Sequence, residues 1–481
     1  MKRRDPKTPT RTSGRSLLAG DASSESRVNS LLHSNRWAAI VAVFALGIAS
    51  VLTPESDAAE APLFKFQFGS GHAAPGYTLV PPGTTYAIET GFGFEPGAAL
   101  TVIDRGGSDP LRRGLVTSDK PFFFSVRVPE EGNYRVTVTL GDAAGETATT
   151  IKAELRRLMA EKVRTARGQF TSVSFIVNTR TSKIAPTDDI VAGEVRLKAP
   201  RESIQEGWAW DDRITLEFDP AVPTGRVGVC AIEIARIDLT TVFLLGDSTG
   251  CDQSREPYAS WGQMLTRFFK PEIAIANHGE SGETYRDSIG RRRLDKILSV
   301  IKPGDWLIMQ FGHNDQKQVA AGTGGPFTTY QEEIKQHVDA VRRRGGIPVI
   351  VSPMERREFD ANGRIKPTLA DYAQGARQAA QELHVAFIDL NAMSRLLYEA
   401  LGPEKAKRAF AKPEQDTTHH NNYGAYELAQ CIAQGLRDAK LDLARYLVDD
   451  FTGFDPARPD PVENFDLPVS PLGTVEKPFG N

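Results

Sequence analysis

The hydrophobic rhythm of this 481-residue chain changes near residue 238. Before that point apolar residues recur at alternate positions in short runs, at 64–68, 99–103, 122–128, 134–140, 172–177 and 214–218. A period of two sends successive side chains to opposite faces of a strand. Turn formers separate the runs, among them Pro81-Pro82-Gly83, Gly106-Gly107 and Glu130-Glu131-Gly132-Asn133. Many short strands at this spacing predict an all-β sandwich. The stretch 154–165 breaks the rhythm, and its composition predicts a polar helix interrupting the strands.

After 238 the runs at 242–245, 273–276, 306–311, 347–351 and 385–389 are predominantly apolar, and amphipathic stretches at 330–344, 369–383 and 426–440 lie among them. Strands apolar on both faces, joined by helical crossovers, predict a parallel, doubly wound sheet between two helical layers. Such sheets bind ligands beyond the carboxyl ends of their strands. From about 455 the chain is rich in proline and is expected to be loosely ordered or draped over the surface. The resulting division is a leader at 1–60, a sandwich at 61–238, an α/β domain at 239–450 and a tail at 451–481.

The leader has its own pattern. Lys2, Arg3, Arg4, Lys7, Arg11, Arg15 and Arg27 precede an uncharged apolar run at 37–52, and Ala59-Glu60-Ala61 follows. The run is short for a membrane span, which needs about 20 residues. It fits a signal-peptide core with an A-x-A cleavage site. The expectation is export to a secreted or periplasmic location with cleavage near Ala59 or Ala61, an uncleaved anchor being the alternative.

Charge and cysteine content narrow the function. Lys and Arg number 58 against 61 Asp and Glu, a net charge of −3. This balance offers no electrostatic basis for binding nucleic acid or an acidic membrane. Cys230, Cys251 and Cys431 are odd in number and lack metal-ligand spacing, so neither a disulfide framework nor a cysteine metal site is expected.

Four strings carry the chemistry. Gly246-Asp247-Ser248-Thr249 follows the first apolar run of the α/β part. A serine on a tight turn at a strand end is exposed for nucleophilic attack, provided that a base adjoins it. Alone, the string could equally cap a helix. His419 in Asp416-Thr417-Thr418-His419 suits the base, and Asp416 can hold its other ring nitrogen. His420 rivals it as base; with Asn421 and Asn422 it could instead belong to helix capping. A metal is discounted, since no fourth ligand stands nearby and adjacent histidines point apart. Gly282 can offer a backbone N–H, and Asn314 in Gly312-His313-Asn314-Asp315 an uncharged amide, to an oxyanion. The backbone N–H of Ser248 is a third donor. Each of these has an ordinary reading as a loop residue; their occurrence in order after successive strands is what argues for a site.

These blocks resemble those of the SGNH (GDSL-type) hydrolases. The segment from Asn277 through Gly282, Gly312-His313-Asn314-Asp315, and Asp416-Thr417-Thr418-His419 with Asn422-Tyr423-Gly424-Ala425 are most similar to the rhamnogalacturonan acetylesterases. Phe66-Gln67-Phe68-Gly69-Ser70-Gly71, Ala74-Pro75-Gly76-Tyr77-Thr78 and Gly91-Phe92-Gly93-Phe94-Glu95 resemble the N-terminal, galactose-binding-like sandwich of bacterial members. The resemblance implies a flavodoxin-like α/β/α catalytic domain after a β-sandwich. It implies Ser248 as nucleophile, His419 as base, Asp416 as its partner, and Ser248, Gly282 and Asn314 as the oxyanion hole. No cofactor or metal is implied. Glu283 departs from the small or basic residue that family members often carry after the block glycine.

The implied activity is removal of O-acetyl groups from pectic polysaccharide, rhamnogalacturonan first, with an acetylated poly- or oligosaccharide as partner and no stable membrane partner after leader cleavage. The rivals are another SGNH activity (lipase, thioesterase or transacylase) and a noncatalytic carbohydrate-binding protein. Arg286, Arg356 and Arg357 could meet a galacturonate carboxylate, but surface or ion-pair roles are the commoner ones for arginine. Trp261 could stack on a sugar, though a core position suits it better.

Overall fold

The computed structural model describes residues 61–222, 225–474 and 476–478. The expected signal peptide and its cleavage site lie outside these residues, except for Ala61.

The alternating runs pair into two sheets. One joins Phe170–Thr179, Gly132–Gly141, Val227–Arg236, Phe64–Phe68 and Thr78–Val80, with Gly114–Ser118 and Thr101–Asp104 alongside. The other orders Phe92–Phe94, Phe122–Arg127, Arg213–Pro220, Thr147–Ala153 and Arg157–Thr165. Their facing side chains make one core, in which the Phe124 ring centroid lies 5.1–5.4 Å from those of Phe66, Phe68 and Phe94.

The helix expected over 154–165 is a strand. Arg157–Thr165 pairs antiparallel with Thr147–Ala153, and Glu154 (φ 56°) and Arg156 (φ 64°) form the left-handed turn between them. Two register shifts interrupt this ladder. They hide the period of two, and the Glu, Lys, Arg, Leu and Ala content favours helix only until pairing decides.

The second half forms a parallel five-stranded sheet in the order Ala274–Asn277, Thr241–Gly246, Trp306–Gln310, Ile347–Val351, Ala386–Ile388. This is the flavodoxin-like order, with its switch point beside the first strand in sequence. Alternate strand residues serve opposite layers. Val242, Leu244, Ile308 and Val349 pack on the helices Trp261–Leu265, Leu390–Ala406 and Asn422–Asp438. Phe243, Leu245, Met309 and Ile350 pack on Thr329–Arg343, Ala370–Glu382 and the shorter helices Tyr285–Gly290 and Arg293–Leu298. The three-layer domain is therefore as expected. All three cysteines are buried free thiols.

The two halves are knit by charge. The turn of the Thr147–Thr165 hairpin enters the α/β half, where Arg157 Nε meets Asp252 Oδ2 at 2.7 Å and Arg156 Nη2 meets Glu256 Oε1 at 2.6 Å. The tail is draped, as expected, and it is also pinned. Val462, Leu467 and Ser470 are buried, and Gly473 bridges to Glu256.

Candidate active site

The strand Thr241–Gly246 ends where the chain must bend sharply beside its neighbour. A Cβ at Gly246 would come within 2.7 Å of the Gln310 carbonyl oxygen, so only glycine fits. Asp247 then fixes the turn: its Oδ1 accepts from Thr249 N (2.9 Å) and Thr249 Oγ1 (2.7 Å), and its carbonyl accepts from Gly250 and Cys251. Gln253 Nε2 donates to the Ser248 carbonyl at 2.6 Å. Ser248 is thus held by its carbonyl, with its hydroxyl turned toward His419.

His419 arrives from the loop before the helix Asn422–Asp438, whose N-cap Asn421 accepts from Gly424 N at 3.1 Å. His419 Nε2 lies 2.9 Å from Ser248 Oγ, and its Nδ1 lies 2.8 Å from Asp416 Oδ2. Asp416 Oδ1 also accepts from the backbone N–H of Thr418 (2.9 Å) and His419 (3.0 Å). Burial pushes the Asp416 carboxyl up, but the hydrogen bond and charge of His419 with these two N–H donors outweigh it and hold it far below the usual carboxylate range. Burial pushes His419 down, Asp416 opposes, and Lys477 and His313 add to the depression; the imidazole lies below its ordinary 6.5. It is therefore neutral near pH 7, the state in which Nε2 can accept the serine proton.

The remaining candidates converge on the same strand ends. Glu280 N donates to the Gly246 carbonyl at 2.9 Å, laying the loop that carries Gly282 along the Ser248 turn. Gly282 has φ 76°, the left-handed region that glycine adopts without strain. Asn314 Nδ2 donates one hydrogen to the Glu283 carbonyl (3.1 Å), and Lys317 Nζ donates to Asn314 Oδ1 (3.1 Å). Both contacts fix the amide with its second N–H still available.

The other residues singled out in the sequence are not members of the Ser248–His419–Asp416 row. His420 bonds Tyr398 through Nε2 (2.7 Å) and is pushed to about 3, chiefly by burial; it belongs to the core. Trp261 is a core residue whose Nε1 donates to Gln310 Oε1. Arg286 pairs with Glu333; Arg357 stacks on Phe410 and braces the catalytic loop, its backbone N donating to the Thr417 carbonyl at 2.8 Å; Arg356 donates to Gln316 Oε1 at 2.8 Å. Glu283 is fully buried and faces Arg293 at 2.8 Å, with Arg291 and Lys198 nearby. Its carboxylate anchors the Gly282 loop. Among the described residues no cluster of three metal-ligating side chains occurs.

Sequence reasoning missed the support. Arg156 Nη1 donates to the carbonyls of Gln253 (3.1 Å) and Tyr258 (2.8 Å), bracing the loop after Ser248 from the β half. Lys477, near the end of the tail, places Nζ 3.7 Å from Asp416 Oδ2. No local pattern marks either residue, because both act on partners far away in the sequence.

Comparison with known proteins agrees with this architecture. The family model described as "GDSL-like Lipase/Acylhydrolase family" matches residues 244–425. A second, "Beta-agarase/YXIM esterase-like, galactose-binding domain-like", matches residues 64–167. The chain is 39% identical over 220 residues to Rhamnogalacturonan acetylesterase RhgT of Bacillus subtilis (strain 168), covering 43% of this chain and 94% of that protein. It is 26% identical over 413 residues to Uncharacterized esterase YxiM of the same organism, covering 84% of this chain and 98% of that protein. A crystal structure of the Bacillus subtilis YxiM protein superposes with a TM-score of 0.41 at 23% identity, covering 79% of this chain and 99% of that one.

Proposed function

The chain belongs to the GDSL-like lipase/acylhydrolase family, and from that premise we propose that it is a carbohydrate esterase releasing acetate from acetylated pectic polysaccharide, rhamnogalacturonan first. The observation that carries the chemistry is the hydrogen-bonded row Ser248–His419–Asp416. The similarity to a rhamnogalacturonan acetylesterase supports the substrate.

In this mechanism Ser248 Oγ attacks the acetyl carbonyl carbon while its proton passes to His419 Nε2. Asp416 holds Nδ1–H, fixing the tautomer and stabilising the imidazolium. The carbonyl oxygen becomes negative and takes hydrogen bonds from the Ser248 and Gly282 N–H groups and from Asn314 Nδ2. Collapse breaks the bond to the sugar oxygen, which takes the proton from His419 and leaves as an alcohol. Water then attacks acetyl-Ser248, with His419 as base again, and acetate departs. Export through the leader at 1–60 is part of the proposal, since it would bring the enzyme to an extracellular polymer.

The test is acetate release from acetylated rhamnogalacturonan compared with hydrolysis of long-chain esters. The expected result is turnover of the acetylated polymer that vanishes in Ser248→Ala; a Ser248→Ala variant with full turnover would overturn the assignment.

A further inference from the structure

Three cations from distant segments contact residues that flank the Ser248–His419 pair. Lys317, exposed at the start of the helix Gln316–Ala320, reaches Asn314 Oδ1. Arg356, half-buried after the strand Ile347–Val351, donates to Gln316 Oε1 at 2.8 Å and reaches the His313 carbonyl at 3.5 Å. Lys477, exposed on the tail, lies over Asp416.

Lys477 pairs with Asp416, whereas among the described residues neither Lys317 nor Arg356 has a direct ion pair with a carboxylate, Arg356 feeling Glu358, Asp247 and Glu355 only through space. The nearest buried acids are already engaged: Asp416 binds His419, and Asp247 holds the Ser248 turn. The three also act on one another. Lys317 is held below the ordinary lysine value first by burial and then by the neighbouring charge of Arg356, with Lys477 adding to it and Asp247 opposing. Like charges gathered at the mouth of a site repel unless an anion joins them.

The tail is built to hold its cation there. Glu256 N donates to the Leu472 carbonyl and Thr474 N donates to the Glu256 carbonyl, both at 2.8 Å, so residues 472–474 run as a short strand against the loop that follows Ser248. Ser470 N donates to Glu256 Oε1 at 3.1 Å. Pro478, next to Lys477, is buried. A loosely attached terminus would have none of these contacts.

We propose that the C-terminal segment completes the substrate site, and that Lys477, Arg356 and Lys317 form a cationic collar binding the carboxylate of an acidic sugar next to the acetylated one. The proposal rests on the esterase reading and deepens it: the acetyl group is chosen by the serine site, and the acidic neighbour by the collar. Lys477 and Arg356 are specificity residues, whereas Lys317 also positions Asn314.

The test compares kcat/KM of the full chain on acetylated oligosaccharides containing galacturonate, on neutral acetylated oligosaccharides of equal length, and on an aryl acetate. The wild type should prefer the acidic substrate, with a preference that shrinks as salt rises. Lys477→Met and Arg356→Met should each cut the acidic-to-neutral ratio about tenfold, the worth of one charge-assisted hydrogen bond, and Lys477→Arg should restore most of it. A ratio unchanged in both methionine variants, or a wild type without acidic preference that still cleaves the aryl acetate, overturns the collar and leaves the esterase standing. A wild type that cleaves none of the three esters overturns the esterase reading and the collar with it.

Discussion

His419 Nε2 and Ser248 Oγ lie 2.9 Å apart across 171 residues of chain. That contact exists because the Ser248 turn and the loop before the helix Asn422–Asp438 meet at the same end of the parallel sheet. Their alignment is maintained by Asp416 on the far side of the ring.

If the row acts as described, its members fail unequally. Ser248→Ala removes the attacking atom and should lower kcat on acetyl esters by about 10^6-fold. Asp416→Asn keeps the shape but favours the wrong imidazole tautomer, and should cost about 10^4-fold. Both variants should fold with unchanged circular dichroism. An Asp416→Asn enzyme of wild-type kcat would show that another group orients His419.

The acid limb of the pH profile follows from the depressed His419. The reaction needs the neutral ring, so kcat/KM should rise with pH and level off, with a midpoint below the ordinary 6.5. Lys477 contributes to that depression. Removing its charge in Lys477→Met should therefore move the midpoint to higher pH, and Lys477→Arg should leave it in place. A profile measured over the acid range on a neutral aryl acetate, which avoids titrating the substrate, decides both points.

Asn314 is a subtler target, because its amide is held by Glu283 on one side and Lys317 on the other. Asn314→Ala should cost about 3–4 kcal/mol of transition-state stabilisation, seen as a 10^2–10^3-fold loss in kcat with little change in KM. Gly282→Ala should act in the same direction, since a side chain is strained at φ 76° and would displace the N–H donor. A fall confined to KM would move Asn314 from the oxyanion to substrate binding.

The parts of this arrangement that were legible in the sequence are those encoded within a few residues. The apolar runs at 242–245 and 347–351 place two sheet strands because a strand buried on both faces needs no partner to be recognised. The strings around Ser248, Asn314 and His419 are legible because each motif packs its own turn chemistry. The 154–165 stretch was misread as helix because its strand identity depends on pairing with Thr147–Ala153 through an irregular ladder. Lys477 and Arg156 gave no signal: one is a lysine in a Pro-rich tail, the other an arginine in a charged stretch, and only the packed chain assigns them a neighbour. Glu283 stands out in the sequence only as a departure from the family residue; its ion pair with Arg293 becomes visible in the packed chain.

The buried pair Arg156–Glu256 ties these non-local features together. Arg156 is 2% exposed and Glu256 7%, and their nitrogen and oxygen lie 2.6 Å apart. Glu256 also accepts from Asn422 Nδ2 at 3.0 Å and from Ser470 N, so one carboxylate joins the β hairpin, the helix that follows the His419 loop, and the tail. Arg156→Met would leave that carboxylate buried without its cation, which costs about 3–5 kcal/mol. Chemical denaturation should register this loss as a lower midpoint with an unchanged slope. Glu256→Gln in the Arg156→Met background should recover part of it, because a neutral amide needs no counter-charge and can still accept from Asn422. Activity should follow a different course. The Gln253 and Tyr258 carbonyls lose the Arg156 guanidinium that donates to both of them, whether or not Glu256 is neutralised, so kcat should stay low in the double variant even as stability returns. If kcat recovers together with stability, Arg156 acts only through its charge, and bracing of the loop after Ser248 is not its role.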